Sequence, residues 1–351
     1  MVVPPTEPSA AASRRAAPAD LLTTSSVLPY LVARGIVGAG ATAAELSGGV
    51  SNVVLRIHDG DTDIIVKQSL PRLRVAEEWL APQERTITEA EAMVLASTVV
   101  DDGVPRIVLS DHVAFVVAMD AAPSDWSDWK TQLMSGLVNE RVAARVGSIV
   151  GSVHSATLDE GSLSALLRET EPFEQLRLRP YYEHTGRVRP EWAPMLSELA
   201  DELRANRRCL VHGDLSPKNI LARADPHADR AWIIDFEVAH RGDPRFDLAF
   251  LLTHLTMKSI HLPALRDDLD LSAQAFIDAY RSAAGDELTP DIAGTARHIG
   301  ALLLARVYGK SPAEYLTAAG RAHAERLAAP AIDGRIASLD DLIQFREDTR
   351  S

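Results

Sequence analysis

Residues 210–247 read LVHGDLSPKNILARADPHADRAWIIDFEVAHRGDPRFD, and this stretch decides the fold. Apolar runs at 210–211, 220–221 and 231–234 predict three short buried strands, because each run is bounded by polar or turn-forming residues. The residues between the first two runs then form a loop held between strands, and those between the second and third form a hairpin. The polar groups of the stretch are thereby placed at strand ends.

Three of those polar groups suit phosphoryl transfer. The reaction needs a carboxylate that orients and deprotonates the acceptor hydroxyl, and oxygen ligands for a Mg²⁺ that bridges the triphosphate. Asp214 suits the first role, Asn219 lies five residues on and can turn back to the metal, and Asp235 follows the third strand as a second metal ligand. The stretch therefore predicts an enzyme that uses Mg²⁺ and ATP or GTP.

The segments HGDLSPKN and IDFE resemble the HxDxxxxN catalytic loop and the metal-binding segment of the aminoglycoside phosphotransferase and choline kinase superfamily. The resemblance covers roughly 46–255. It implies Asp214 as the catalytic base, Asn219 and Asp235 as magnesium ligands, and His212 as a residue that braces the loop.

The same resemblance implies an α+β, two-lobed protein-kinase-like fold, with a small antiparallel-sheet nucleotide lobe and a larger, mostly helical lobe. Protein kinases have a Gly where this chain has Glu237, and that departure favours a small-molecule kinase. Protein kinases also place a Lys two residues after the catalytic Asp. Here Ser216 takes that position, and Lys218 either reaches the phosphate or points to solvent.

Upstream residues predict a nucleotide-binding turn. Residues 45–57 read as a strand, a glycine-containing turn and a second strand, and backbone N–H groups of such a turn can bind phosphates. Gly49, Ser51 and Asn52 are its candidate nucleotide-binding residues. The next predicted strand carries Lys67, one of only five lysines in the chain, and a compact ammonium suits contact with two phosphate oxygens.

Lys67 needs a carboxylate to position it, and a predicted helix at 88–93 supplies one. Glu89 is the expected partner, because it lies four residues before Met93 and shares its helix face, as the family pattern requires. Glu91 is the alternative. The competing interpretation is that these are ordinary surface charges.

A second, more local resemblance points to 5-methylthioribose kinase. It rests on GGVSN at 48–52, on KQSLPRLR at 67–74 and on Trp79, and it covers about 46–91. This similarity does not define the substrate.

Composition bounds the class of protein. At 351 residues and 46% hydrophobic content, the chain is long enough for two packing units. A formal charge of −13 argues against nucleic acid or an anionic membrane as a partner. Cys209 is the only cysteine, which excludes an intrachain disulfide and suits the cytoplasm.

The predicted layout begins with a disordered tail over 1–20, followed by the nucleotide lobe over 21–119. Residues 113–119 form the last strand of that lobe, and 120–123 form the hinge. The catalytic and substrate lobe spans 124–351. A homodimer is compatible with the sequence.

The second lobe is predicted to be helical at 141–157, 247–257, 272–283 and 291–308. His154 lies on the apolar stripe of the first of these helices, where a hydrogen-bonded core histidine is more common than a catalyst. Two acidic residues, Asp243 and Asp247, are interpreted as structural, capping a helix or bracing the loop. The sequence does not decide whether five candidate residues contact the substrate or have a packing or surface role: Arg306, Trp126, Trp129, Tyr181 and Tyr182.

The sequence thus predicts a small-molecule O-phosphotransferase that moves the γ-phosphate of ATP or GTP to a hydroxyl. The acceptor classes are a sugar-like metabolite and a sugar-containing antibiotic of aminoglycoside or nucleoside type, the latter making it a resistance enzyme. The alternatives are a nucleotide-binding pseudokinase, disfavoured because all the expected polar groups are present, and a protein kinase, disfavoured by the absence of DFG.

Overall fold

The computed structural model describes residues 20–46, 52–70, 82–288 and 291–349. None of the helices in these ranges combines the length and the hydropathy that a membrane span requires.

A five-stranded antiparallel sheet forms the smaller lobe, and its strands lie in the order β1-β2-β3-β5-β4. Helix α1 (Val27–Val32) covers one face and helix α2 (Arg85–Val99) packs against the other. The strands are β1 (Thr42–Glu45), β2 (Asn52–Asp59), β3 (Thr62–Ser69), β4 (Ile107–Asp111) and β5 (Val116–Asp120).

The two-residue period of β3 explains how this sheet presents a charge. Ile64 and Val66 are buried in the apolar cluster beneath α1, while Ile65 and Lys67 point to the opposite face. That face meets α2 and the larger lobe. The alternation therefore delivers one lysine to the junction of the lobes.

The last strand of the lobe begins at Val116, three residues later than the sequence predicts. The carboxylate of Asp111 accepts hydrogen bonds from the backbone N–H groups of Val113 and Ala114 at 3.0 Å each, which closes a tight turn, and Phe115 takes a φ of +52°. Asp120 belongs to this strand and not to the connection that follows it.

The larger lobe is mostly helical, with two small sheets at its junction with the first. Strand β7 (Cys209–Val211) pairs with β10 (His240–Gly242), and β6 (Trp126–Asp128), β8 (Ile220–Arg223) and β9 (Ala231–Ile233) form the second sheet. Its helices are α3 (Trp129–Met134), α4 (Glu140–Ala156), α5 (Glu171–Phe173), α6 (His184–Val188), α7 (Ala193–Ala205), α8 (Pro244–His261), α9 (Arg266–Ala284), α10 (Ile292–Tyr308), α11 (Ala318–Ile332) and α12 (Leu339–Asp348). A π-helical segment, Glu174–Glu183, joins α5 to α6.

Helix α8 runs through the core of this lobe, and its start is set by the sequence. Asp243 caps it by accepting a hydrogen bond from the backbone N–H of Arg245 at 2.9 Å, and Pro244 occupies the first helical position. Asp247 lies one turn inside the helix and does not cap it. The predicted α+β, two-lobed arrangement is confirmed.

Candidate active site

The loop between β7 and β8 is held in place from three directions. The carboxylate of Asp247 accepts the backbone N–H groups of His212 at 2.7 Å and Gly213 at 2.9 Å, and Gly213 has a φ of +74° that favours glycine. His212 Nε2 donates to the carbonyl oxygen of Ile234 at 2.9 Å, and its Nδ1 accepts the N–H of Asp214 at 3.1 Å. The neutral His212 ring therefore ties the loop to the strand that precedes Asp235.

Asp214 is buried at the tip of this loop among donors. Asn219 Nδ2 donates to its Oδ2 at 2.9 Å, the Arg177 guanidinium lies 2.9 Å away, and Lys218 Nζ lies at 3.2 Å. Burial alone would raise the pKa of Asp214, but Arg177 and Lys218 outweigh it and hold the pKa below its ordinary value. The carboxylate is therefore ionised at neutral pH.

Lys67 joins the two lobes. Its Nζ lies 2.7 Å from Glu89 Oε1 on α2 and 2.8 Å from Asp235 Oδ1 after β9. Burial lowers the pKa of Lys67, but the two carboxylates outweigh burial and raise it, which keeps the ammonium charged. Glu91 does not share in this cluster and accepts a hydrogen bond from Ser164.

The two carboxylates share that single cation unequally. Burial, together with repulsion from Asp235 and Glu237, leaves the pKa of Glu89 raised. Burial would also raise the pKa of Asp235, but Lys67 and Lys218 together depress it. Asp235 is thus the stronger anion and the better metal ligand.

Asn219 and Asp235 are the residues that could hold a divalent cation. The backbone N–H of Ile234 donates to the carbonyl oxygen of Asn219 at 2.9 Å, which keeps the two side chains on neighbouring strands. Asn219 Nδ2 is engaged by Asp214, so its Oδ1 remains for a metal, and Asp235 has a strained φ of +69°. The described residues contain no group of three His, Cys, Asp or Glu able to hold a metal.

Two site residues were missed by sequence reasoning. Arg177, in the π-helical segment, pairs with Asp214 and donates from Nε to the carbonyl oxygen of Gly213 at 2.9 Å. Arg85, in the first turn of α2, lies 3.3 Å from Glu237 and bridges the lobes beside Lys67. No motif marks either arginine, although the unusual Glu237 signals that a buried cation must accompany it.

One cleft of about 950 Å³ lies between the lobes, and the site residues that border it are Lys67, Arg85, Arg177, Asp214, Lys218, Asn219, Asp235 and Glu237. Asn52 is buried at its edge, whereas Gly49 and Ser51 lie outside the described residues, as do most residues of the local resemblance at 48–52 and 67–74. Tyr181 and Arg306 border the cleft. The other candidate contacts pack elsewhere in the lobe. Trp129 and Tyr182 are buried in the core, and the ring of Trp126 packs against that of Trp232 with 5.4 Å between the ring centres.

His154 is a core residue, as predicted, with an indirect link to the site. Its Nδ1 lies 3.1 Å from the Tyr280 hydroxyl and its Nε2 lies 3.2 Å from Asp247 Oδ2. It therefore supports the carboxylate that holds the loop.

Residues 42–287, more than half of the chain, match the phosphotransferase enzyme family (APH). The chain belongs to this family. The match confirms the superfamily expected from HGDLSPKN and IDFE, and it makes the protein a phosphotransferase.

Known proteins similar to this phosphotransferase are kinases with different acceptors. A 4-hydroxytryptamine kinase of Psilocybe cyanescens is 24% identical over 66% of this chain and 73% of its own length. A methylthioribose kinase of Geobacillus kaustophilus is 24% identical over 74% of this chain and 73% of its own. Among solved structures, an amicoumacin kinase in complex with AMP-PNP and Ca²⁺ superposes with a TM-score of 0.52 at 17% identity, over 88% of this chain and 87% of that one. That likeness confirms the fold.

Proposed function

We propose that this phosphotransferase moves the γ-phosphate of ATP or GTP to a hydroxyl group of a small molecule. The observation that carries the proposal is that Asp214 borders the same cleft as Lys67 and Asp235, which pair with each other beside Glu89. Lys67 and Asp235 suit a nucleotide's phosphates and metal, and Asp214 suits an acceptor hydroxyl. The nucleotide complex of the amicoumacin kinase supports a nucleoside triphosphate as the donor.

The nucleotide side would work by positioning and charge. Lys67, held by Glu89, would contact phosphate oxygens, and Asp235 with Asn219 would hold Mg²⁺. When bound, Mg²⁺ supplies neutralisation of the triphosphate charge. On nucleotide binding, Asp235 would exchange its contact with Lys67 for Mg²⁺, and Lys67 would turn to the phosphate oxygens. The ion pair therefore holds both groups in position before the nucleotide binds.

The acceptor side would orient rather than strongly deprotonate. Because the pKa of Asp214 is lowered by Arg177 and Lys218 despite its burial, this carboxylate is a weak base that accepts a hydrogen bond from the hydroxyl and takes the proton late. Both cations lie 3.2 Å or less from Asp214, so they would lie near a phosphoryl group transferred to a hydroxyl bound there. Lys218 would therefore take the part that Ser216, in the protein-kinase lysine position, cannot.

The test is nucleotide consumption with and without acceptors. Asp214→Asn should keep nucleotide affinity but lower kcat about 100- to 10,000-fold, because the change removes only the carboxylate that orients the acceptor hydroxyl and accepts its proton. Asp278→Asn, an exposed aspartate on α9, is the matched control and should be unchanged. Acceptors to compare are methylthioribose, other sugars, nucleoside antibiotics and aminoglycosides, each with ATP and GTP.

The alternatives give different readings in the same assay. A pseudokinase would bind nucleotide with no turnover for any acceptor, and a protein kinase would label a protein substrate in preference to these compounds. Full turnover by Asp214→Asn would refute the assigned role of Asp214.

Two acceptor classes remain within the proposal, a sugar-like metabolite and a sugar-containing antibiotic whose modification would confer resistance. The cleft bears on the choice, because cations outnumber carboxylates along its walls. A polycationic aminoglycoside is therefore a poorer fit than a neutral or anionic acceptor. A cytoplasmic location is proposed, since the lone Cys209 suits a reducing compartment.

A further inference from the structure

The cleft is cationic although the chain as a whole is acidic. The formal charge is −13, yet all five lysines of the chain border this one cleft. Lys67 and Lys218 lie beside the catalytic carboxylates, whereas the other three border the opposite end together with Arg306 and Tyr315. We call that end, formed by Lys130, Lys258, Arg306, Lys310 and Tyr315, the cationic end.

Few carboxylates border the cationic end in the described part of the cleft. Among the described residues that border the cleft, Asp214, Asp235 and Glu237 belong to the catalytic side. Glu314, which is exposed, is the one acidic side chain at the cationic end. A binding partner with negative charge would restore the balance.

Lys258 is the centre of the imbalance. The residue is 1% exposed, its Nζ lies 3.5 Å from the carbonyl oxygen of His254, and it lies 5.8 Å from the centre of the Tyr315 ring. Within the described ranges no carboxylate oxygen lies within 4.0 Å of it. Burial lowers the pKa of Lys258 to about 7, repulsion from Lys130 and Arg306 adds to this effect, and attraction to Asp128 only partly opposes it. A buried cation without an ionic partner destabilises the fold, so its presence calls for a functional reason.

Two further donors at the same end are unpaired. Arg306 Nε and the Tyr315 hydroxyl are both buried, and the described part of the chain offers neither a hydrogen-bond partner. The terminal NH1 of Arg306 donates to Ser311 Oγ at 2.9 Å, which fixes the direction of the guanidinium. Buried donors are nearly always paired, so these two point to an acceptor group supplied by a ligand.

Helix α8 connects the cationic end to the catalytic side and sets their separation. Phe250, His254 and Lys258 are spaced by four residues on one helix face, and all three border the cleft. The Arg177 guanidinium, which pairs with Asp214, lies 5.9 Å from the Phe250 ring centre. Eight residues of helix span about 12 Å.

We propose that the acceptor carries a carboxylate or phosphate group that binds Lys258, Arg306 and Tyr315, at the other end of the acceptor from the hydroxyl placed at Asp214. An oxyanion accepts hydrogen bonds from all three donor types, and the Arg fork adds direction. The inference rests on the proposed function for the role of Asp214. It narrows the acceptor to a molecule with a hydroxyl at one end and an acidic group at the other.

Lysine labelling with pyridoxal 5′-phosphate tests the cationic end without requiring turnover. The aldehyde of the reagent condenses with a neutral amine to form an imine and release water, and borohydride reduces the imine to a stable secondary amine. Labelling is carried out with saturating MgADP present and absent, and the labelled lysines are located by peptide mass spectrometry. Inorganic phosphate and malonate are the protecting anions, and potassium chloride at matched ionic strength is the control.

We expect Lys258 to be labelled with MgADP present, and labelling to slow at least several-fold with phosphate or malonate. The more protective anion identifies a phosphate or a carboxylate as the bound group. Absence of label at Lys258, protection by neither anion, or equal protection by potassium chloride would overturn the proposal. Lys67 should be protected by MgADP, and failure of that protection would instead contradict the proposed nucleotide site.

A pair of variants provides a second measurement. Lys258→Met keeps the length of the side chain and removes its charge, and should weaken binding of the protecting anion about 10- to 100-fold, as measured by thermal shift with MgADP present. Arg321→Met removes an exposed cation on α11 and should bind the anion as the wild type does. Unchanged anion affinity in Lys258→Met would overturn the proposal even if both variants fold normally.

Discussion

At the scale of single residues, the site separates charges that are paired from those that are not. Lys67 has two carboxylates within 2.8 Å and stays protonated, whereas Lys258 has none in the described part of the chain and its pKa falls to about 7 through burial. Both are buried lysines in one cleft. The difference is that the charge of Lys67 is already balanced by two carboxylates before phosphates bind. Lys258 would obtain a counter-charge at ion-pair distance from a ligand.

The unpaired charge predicts a pH-dependent stability. The folded-state pKa of Lys258, about 7, lies below the ordinary value of 10.5 that applies to the unfolded chain, so between these values the unfolded state binds more protons and stability rises with pH. Lys258→Met should therefore raise the free energy of unfolding near pH 7 by about 4 kcal/mol. This advantage over the wild type should shrink toward pH 10.

Urea unfolding of the two proteins at pH 7 and at pH 10 measures the difference. Arg321→Met again serves as the control and should show no pH-dependent change. Equal stability of wild type and Lys258→Met at pH 7 would contradict the prediction, because it would mean that other groups of the folded protein compensate the charge of Lys258.

At the scale of elements, the close packing of α4 on α9 supports the catalytic loop at a distance. A Cβ added at Gly147 would lie 2.2 Å from the backbone oxygen of Phe276 on α9. One turn on, α9 carries Tyr280, whose hydroxyl contacts His154, and His154 contacts Asp247. The helix pair is thus linked to the backbone of the loop through three side chains.

Gly147→Ala should destabilise the protein by about 1–3 kcal/mol, because the added methyl group forces the backbones of α4 and α9 apart. The cost of this separation outweighs the better helix propensity of Ala. The change should also lower kcat through displacement of Tyr280. Gly320→Ala on α11 is the matched control, since its added Cβ would meet neighbours only at 3.4 Å or more.

Thermal unfolding and steady-state kinetics on both variants give the comparison. Gly320→Ala should be neutral or slightly stabilising. If Gly147→Ala were equally neutral, the close approach of the two helices would not be a rigid feature of the fold.

At the scale of the whole molecule, the two lobes meet through buried ion pairs at the nucleotide site. Lys67 with Asp235, and Arg85 with Glu237, each join the smaller lobe to the larger. Any ligand that binds Lys67 and Asp235 together must therefore act on the contact between lobes. Since Mg²⁺ at nucleotide sites is usually held by one or two carboxylates and the substrate's phosphates, we expect the nucleotide and the metal to bind as one unit.

Removal of the metal should separate binding from folding. Without nucleotide, EDTA should leave Tm unchanged. With ATP at about 100 times its Kd, Mg²⁺ should add about 2.7 kcal/mol of stability, and EDTA should remove most of that gain together with turnover. Differential scanning calorimetry with and without EDTA measures both effects, and a fall in Tm of the nucleotide-free protein would indicate a structural metal instead.

Local sequence was sufficient for the parts of the site that follow one another in the chain. His212, Asp214 and Asn219 are placed by a loop between short strands, and Asp235 by the strand end that follows, so spacing alone brought them together. The pairing of Lys67 with Glu89 was expected from the family pattern and from the helix face that Glu89 shares with Met93, and the two charged groups lie 2.7 Å apart. The start of β5 was misplaced because the Asp111 turn involves side-chain bonds to backbone that apolar patterning does not show.

The tertiary structure alone decided which distant charges meet. Arg177 reaches Asp214 from 37 residues before it, and Arg85 reaches Glu237 across the lobes. Lys258 and Arg306 look like ordinary helix charges in the sequence, and only the packing of α8 beside α10 turns them into one end of a cleft. Catalytic chemistry depends on short-range spacing, which a sequence carries, whereas acceptor recognition depends on burial and long-range electrostatics, which arise only when the helices pack.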